Sequence, residues 1–180
     1  RNLKSIDIPE GTTSIGKYAF DSCSSLDLIK IPASLSSIGK AAFGSISISA
    51  YFTVNEGNTK YKSVDGVLFN ASMDTVIKGR DSDTFAIPSS VKTIACYAFA
   101  ACNFTSVTIP AGATSIEEEA FADCPLLTSV SIPNSVTSIE RAAFANCPLL
   151  TSINIPNGMT SIAQDLLSGS KSLESVNIPD

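Results

Sequence analysis

The chain contains no histidine and no tryptophan. The first absence removes the commonest general base and the commonest metal ligand together. It also rules out a Cys-His nucleophilic mechanism within this chain. Basic residues are scarce as well: Lys and Arg total 12 against 17 Asp and Glu, for a net charge of −5. Nucleic-acid binders carry clustered Lys and Arg, so no nucleic acid is expected as a partner. A patch for anionic membranes is missing on the same ground. No window reaches the roughly 18 consecutive apolar residues of a membrane helix, so no membrane insertion is expected. No apolar run follows the basic start Arg1-Asn2-Leu3-Lys4, so this stretch is not a signal peptide. Phosphate loops, nucleophile elbows and basic–aromatic stripes are all missing, and no cofactor is expected.

What is there is a period. The string Ser-Val/Ile-x-Ile-Pro recurs, and its last apolar residue falls at Ile8, Ile31, Val54, Ile87, Ile109, Ile132, Ile155 and Ile178. The steps are 23, 23, 33, 22, 23, 23 and 23 residues. Pro follows this marker in seven of the eight repeats, and an Ile comes seven places after it at 15, 38, 94, 116, 139 and 162. Eleven and twelve places on lies an Ala-Phe pair (Ala19-Phe20, Ala42-Phe43, Ala98-Phe99, Ala120-Phe121, Ala143-Phe144). Fifteen places on lies Cys23, Cys102, Cys124 or Cys147. A fixed period of this kind is the mark of a stacked repeat architecture.

Each position has a physical reading. Leu127-Thr128-Ser129-Val130-Ser131-Ile132 alternates apolar and polar, as a half-buried strand does. Pro133 lacks an N–H and ends that strand. Glu140-Arg141-Ala142-Ala143-Phe144 holds good helix formers but is short, so a single helical turn is expected there. One repeat buries too little apolar surface to fold alone, and stacked neighbours must complete its core and its hydrogen bonds. The fold expected is therefore a repeat solenoid of the leucine-rich type. It would form a right-handed superhelix with a parallel concave sheet, short helical turns on the other side and one β-hairpin insertion. A single domain spans 1–180, read as a fragment of a longer protein because neither end carries a polar cap. In the seventh repeat Leu166-Leu167 replaces Ala-Phe, and Ser170 replaces Cys.

The variant unit, residues 49–81, is 33 residues long. Tyr51-Phe52-Thr53-Val54 keeps the strand, but the Ala-Phe turn is gone. Asp65-Gly66 signals a two-residue hairpin and Asn70 to Asp74 a second turn. The expectation is a small antiparallel projection from the solenoid, and insertions of this kind often mark the binding face.

The string Leu-x-Ser-Val-x-Ile-Pro-x-x-Val-x-x-Ile-x-x-x-Ala-Phe-x-x-Cys, as in residues 127–147, resembles the BspA-like (Treponema-type) leucine-rich repeats. The interruption from Asn58 to Phe69 is similar to a variant unit of that family. The resemblance implies a cell-surface or extracellular protein of host-associated bacteria or protozoan parasites. It also implies adhesion to a macromolecular partner such as host matrix proteins, fibronectin and fibrinogen among them, or a glycan. Its motif is structural throughout and carries over no functional residue.

The residues themselves offer few sites. The four column cysteines read as buried free thiols. Cys96 shares its repeat position with Lys17, Lys40, Glu118, Arg141 and Gln164, so it is expected to face solvent. Glu117-Glu118-Glu119 and Asp81-Ser82-Asp83 match no calcium loop and read as solvated. Asn70-Ala71-Ser72 and Asn103-Phe104-Thr105 fit the glycosylation sequon. The outward strand positions are small and polar, such as Ser129 with Ser131, and offer few anchors of the Trp, Tyr or Arg kind. The exceptions adjoin the variant unit, and the expected partner contact is Leu28, Lys30, Tyr51, Thr53, Tyr61 and Leu68. The expected function is a non-enzymatic interaction or adhesion module, with a structural spacer in a larger surface protein as the alternative.

Overall fold

The computed structural model describes residues 2–81 and 86–178. In the repeats whose strand residues are described, the strand half forms as expected. Strands β1 (Ser5–Asp7), β3 (Leu28–Ile31) and β5 (Tyr51–Val54) pair in parallel, so that Ile6, Ile29 and Phe52 share one row. Farther along, β10 (Ser106–Thr108) pairs with β12 (Ser129–Ser131), and β14 (Ser152–Asn154) with β15 (Ser175–Asn177). The strand expected at Thr84 falls outside the described residues, as do Ser82 and Asp83 of the second acidic cluster.

A second set of strands follows the proline turns. β2 (Ser14–Ile15) pairs with β4 (Ser37–Ile38), and β9 (Thr93–Ile94), β11 (Ser115–Ile116) and β13 (Ser138–Ile139) pair in series. Ile15, Ile94, Ile116 and Ile139 are buried in this row. Ile162 lies beyond its last strand and is 50% exposed.

The expected helical turns are not helical: no helix occurs among the described residues. The residues ten places after each marker, Tyr18, Ala41, Tyr97, Glu119, Ala142 and Asp165, all have φ between 53° and 57°. Fourteen places after it the pattern repeats in every regular turn but the one at Ser45, as at Ala101 (62°) and Asp123 (59°). A left-handed residue at every fourth position interrupts the run of negative φ that a helix needs. The hydrogen bonds show what is gained. Tyr97, Phe99 and Ala101 donate to Glu118, Ala120 and Ala122 of the next coil at 3.1, 2.8 and 2.8 Å. Between them Ala98, Ala100 and Cys102 donate back three residues at 3.0, 3.3 and 3.3 Å. A helix would turn every N–H along its own axis and leave successive coils unlinked. Each left-handed residue other than Gly costs roughly 1–2 kcal/mol, and the inter-coil bonds offset this.

The aromatic column stacks within two blocks. Phe20 and Phe43 lie 5.4 Å apart at 5°. Phe99, Phe121 and Phe144 follow one another at 5.4 and 5.3 Å, at 7° and 1°. The column cysteines are free. The Cys124 Sγ donates to the Phe99 oxygen and the Cys147 Sγ to the Phe121 oxygen, both at 3.3 Å. Ser170 keeps the pattern, its Oγ donating to the Phe144 oxygen at 3.2 Å.

The variant unit is built into the body and does not project from it. β6 (Tyr61–Val64) and β7 (Val67–Asn70) form a hairpin whose turn residues Asp65 and Gly66 both have positive φ, 51° and 79°, the geometry such two-residue turns require. Asn70 Oδ1 accepts the Asp74 and Thr75 N–H groups at 3.1 and 3.0 Å, closing the second turn. β8 (Thr75–Lys78) then pairs antiparallel with β7 and parallel with β9, placing Val76 opposite Ile94. Val67, Leu68 and Phe69 are fully buried. Three consecutive apolar residues leave β7 no face that water can cover, so it packs on both sides. Asn58 fastens the unit to the coil before it: its Nδ2 donates to the Pro32 and Leu35 oxygens at 2.7 and 3.0 Å, and its Oδ1 accepts from the Lys60 and Tyr61 N–H groups at 2.8 Å each.

Where the other coils bulge into a turn, this one runs straight, with the Gly79 N–H donating to the Ala98 oxygen at 2.7 Å. Lys78 is 3% exposed, and its Nζ donates to the Gly44 and Tyr97 oxygens, each at 2.8 Å. It thereby ties together turns on either side of the missing one. Burial without a carboxylate partner pushes its pKa down to about 8 from the ordinary 10.5.

Two outcomes follow. Ala101, exposed with φ 62°, becomes more stable as Gly: Ala101→Gly raises the unfolding free energy by about 1 kcal/mol, read by urea denaturation. For Lys78 the unfolded chain binds more protons than the folded one between pH about 8 and 10.5, so its contribution to stability rises with pH across that window. The stability difference between wild type and Lys78→Met, followed from pH 7.5 to 10.5, shifts by roughly 3 kcal/mol in favour of wild type; a flat difference contradicts the assignment.

Candidate functional site

The outward faces of the long strands divide by chemistry. From β10 to β15 they carry Ser106, Thr108, Ser129, Ser131, Ser152, Asn154, Ser175 and Asn177, all exposed and uncharged. Asn177 Nδ2 donates to Asn154 Oδ1 at 2.7 Å, a cross-strand pair in register. Such short side chains bury little area and make poor anchors.

Beside the variant unit the same face changes. Leu28 and Tyr51 sit opposite one another across β3 and β5, as do Lys30 and Thr53. Tyr51 is 41% exposed. The hairpin turn supports its ring: a Cβ placed on Gly66 would lie 2.7 Å from Tyr51 Cε2. The Arg80 guanidinium stands 5.4 Å from the ring centroid and its Nη1 donates to the Asp65 oxygen at 3.5 Å. Tyr and Arg are the side chains richest in binding energy at interfaces, and here the fold holds one against the other. Sequence reasoning missed Arg80, because only the path of β8 brings it back to Tyr51.

Lys30 Nζ pairs with Asp7 Oδ2 at 3.0 Å with both side chains more than half exposed. Such a pair is worth about 0–1 kcal/mol, so Lys30 is free to exchange partners. Lys30 and Thr53 also border a groove of about 570 Å³ at the strand ends, closed by Asp7, Glu10, Asn55 and Glu56. Glu10 is held there, Oε1 accepting the Ala33 N–H at 3.0 Å and Asn55 Nδ2 at 3.4 Å.

Two of the expected contact residues are corrected. Tyr61 is 9% exposed and Leu68 fully buried, because the hairpin turns inward and its apolar residues fill the core between coils. Cys96 is corrected too. Its Sγ donates to Glu117 Oε2 at 3.2 Å, and it is buried, with its N–H also held by that carboxylate at 3.1 Å. Burial, then that bond, pushes its thiol up to about 12, which leaves it protonated and unreactive. Glu118 is not simply solvated. It lies between Lys40 Nζ, at 3.0 Å, and Arg141, and the hydrogen bond from Lys40 leads in lowering its pKa. Both sequon asparagines are engaged, Asn70 Nδ2 with Asp74 Oδ1 at 2.5 Å and Asn103 Nδ2 with Asp81 Oδ2 at 2.8 Å. No His, Cys, Asp and Glu group among the described residues has the spacing of a metal site. No described helix is long and apolar enough to cross a membrane.

Comparison with known proteins bears on both fold and site. A sequence model of BspA-type leucine-rich repeat regions matches residues 1–73 and 74–180 in six copies. A leucine-rich repeat protein from Eubacterium ventriosum superposes with a TM-score of 0.90 at 29% identity, over 97% of this chain and 48% of that one. The pneumococcal vaccine antigen PcpA gives 0.81 at 27% identity, over 97% and 50%. A leucine-rich cell surface protein from Faecalibacterium prausnitzii gives 0.79 at 30% identity, over 98% and 54%. The chain thus spans about half the length of these structures. No curated protein matches.

The support beneath Tyr51 is testable. At Gly66, φ of 79° and the ring leave no room for a side chain, so Gly66→Ala costs more than about 1 kcal/mol of stability. It also shifts the Tyr51 ring resonances, read by NMR, while those of Tyr18 stay in place.

Proposed function

We propose, from the premise that this chain belongs to the BspA-type leucine-rich repeat family, that it is a non-enzymatic, surface-exposed interaction module that serves adhesion. The contact patch is Leu28, Lys30, Tyr51 and Thr53, with Arg80 as the added anchor. One observation carries the reading: a strand face of short polar side chains gives way, at the variant unit, to an exposed tyrosine backed by an arginine. Two related structures support a surface location, one being a vaccine antigen and the other a cell surface protein. Repeat scaffolds of this kind present extended faces to macromolecules. Host matrix proteins and glycans are the partners to test.

In a binding screen of immobilised matrix proteins and glycans, at least one ligand binds the chain saturably. Tyr51→Ala and Lys30→Glu each weaken that binding by about tenfold or more, about 1.4 kcal/mol. Ser129→Ala, on the same sheet and away from the patch, leaves it unchanged. Saturable binding untouched by the patch variants moves the site elsewhere. No saturable partner at all favours the spacer.

A further inference from the structure

The variant unit divides the interior in two. Successive strand residues point to opposite faces of a sheet, and in the wall formed by β6, β7 and β8 the two faces belong to different cores. Tyr61, Leu68 and Ile77 pack with Leu35 and Phe52 of the coils before the wall. Val67, Phe69 and Val76 pack with Ile94 and Phe99 of the coils after it.

The wall is fastened unequally. To the following coil it is joined by backbone: β8 pairs in register with β9, the Lys92 and Thr93 N–H groups donate to the Asp74 oxygen at 2.7 and 3.0 Å, and the Gly79 N–H donates to the Ala98 oxygen at 2.7 Å. Toward the preceding coils that ladder is absent. Among the described residues β4 pairs only with β2, and β6 ends the other sheet. Two backbone bonds cross on that side, from the Phe52 N–H to the Gly66 oxygen at 3.0 Å and from the Asp81 N–H to the Ile48 oxygen at 2.7 Å. The other polar contacts described there are made by side chains. Asn58 holds the Pro32 and Leu35 oxygens with one end and the Lys60 and Tyr61 N–H groups with the other. Lys78 binds Gly44, and Arg80 lies over Tyr51. In a stack of repeats, stability is a sum of unit terms and nearest-neighbour interfaces, so the interface with the fewest backbone bonds yields first.

We infer that the chain opens at this wall: residues 2–57 unfold as one cooperative block while the wall and the coils after it stay folded. Opening takes Tyr51 away from Arg80. A consequence, which rests on the proposed contact patch, is that the patch exists only in the closed chain, so that its occupation and the opening exclude one another.

Amide exchange of the intact chain, followed in rising urea below the unfolding transition, reads such an opening directly and needs no ligand, so its outcome is independent of the patch. Phe20, Gly39 and Asn55 lie in three successive coils of the first block, their N–H groups bonded to the Ala42, Ile15 and Ile31 oxygens at 2.8, 2.9 and 2.9 Å. These three amides share one protection. Glu117 and Glu140 occupy the repeat position of Gly39 and make the same bond, to the Ile94 and Ile116 oxygens at 2.9 Å each; they are protected about tenfold more or better. Asn58→Ala removes the side chain that spans the interface, and it speeds exchange at Phe20, Gly39 and Asn55 by about tenfold or more while leaving Glu117 and Glu140 unmoved. Where that variant does not fold, the step in the wild-type chain decides alone. Protection that falls coil by coil from Asn55 to Phe20 is fraying and overturns the proposal. So does Asn58→Ala acting equally on both sets of amides, or on neither.

Discussion

Successive coils of this chain are joined by backbone N–H groups that point along the stack into the carbonyls of the next coil, and most other features follow from that demand. It requires a residue count between equivalent positions that stays near 23, and it requires turns in which every second N–H is kept from closing within the turn. The left-handed residues at Tyr97 and Ala101, and at their equivalents, serve that end. They give up local helical hydrogen bonds and intrinsic backbone preference, and in exchange lock adjacent coils at one spacing. The same spacing lets Phe99, Phe121 and Phe144 stack face to face, and lets the Cys124 and Cys147 thiols each find a carbonyl of the coil before.

The variant unit is where that demand is met by other means. Its extra residues form a hairpin that fills the interior, so two buried clusters replace one continuous column. Side chains then do what backbone does elsewhere. Asn58 satisfies four groups at its entrance, and Lys78 binds two carbonyls across the missing turn. A buried ammonium paired only with carbonyls carries a desolvation penalty that an amide would not. The break leaves its mark on both sides of the molecule. On the strand side it brings Arg80 to Tyr51, and on the turn side it leaves the turns of residues 39–45 and 95–102 joined through Lys78.

Family membership and these local features answer different questions. The BspA-type match accounts for the periodic residues, which are occupied in building the stack. The proposed contact draws instead on Leu28, Lys30, Tyr51 and Arg80, at and beside the unit that departs from the pattern. An irregular coil inside a regular array thus concentrates the chemistry that a uniform solenoid lacks.

The sequence by itself determined the parallel strands, the columns, the free thiols (buried at Cys102, Cys124 and Cys147, half-buried at Cys23) and the hairpin at Asp65-Gly66, because each of these depends on identical residues recurring in register or on local turn chemistry. It also singled out the strand-face residues Leu28, Lys30, Tyr51 and Thr53, whose orientation follows from strand alternation alone. Only the tertiary structure decided that the turns are not helical, since helix propensity in Glu140–Phe144 loses to carbonyls on another coil that no local reading contains. It likewise decided that Tyr61 and Leu68 turn inward, that Cys96 is covered, and that Arg80 meets Tyr51. These outcomes depend on how one irregular coil packs between two regular ones, and a repeat pattern carries no information about the unit that departs from it.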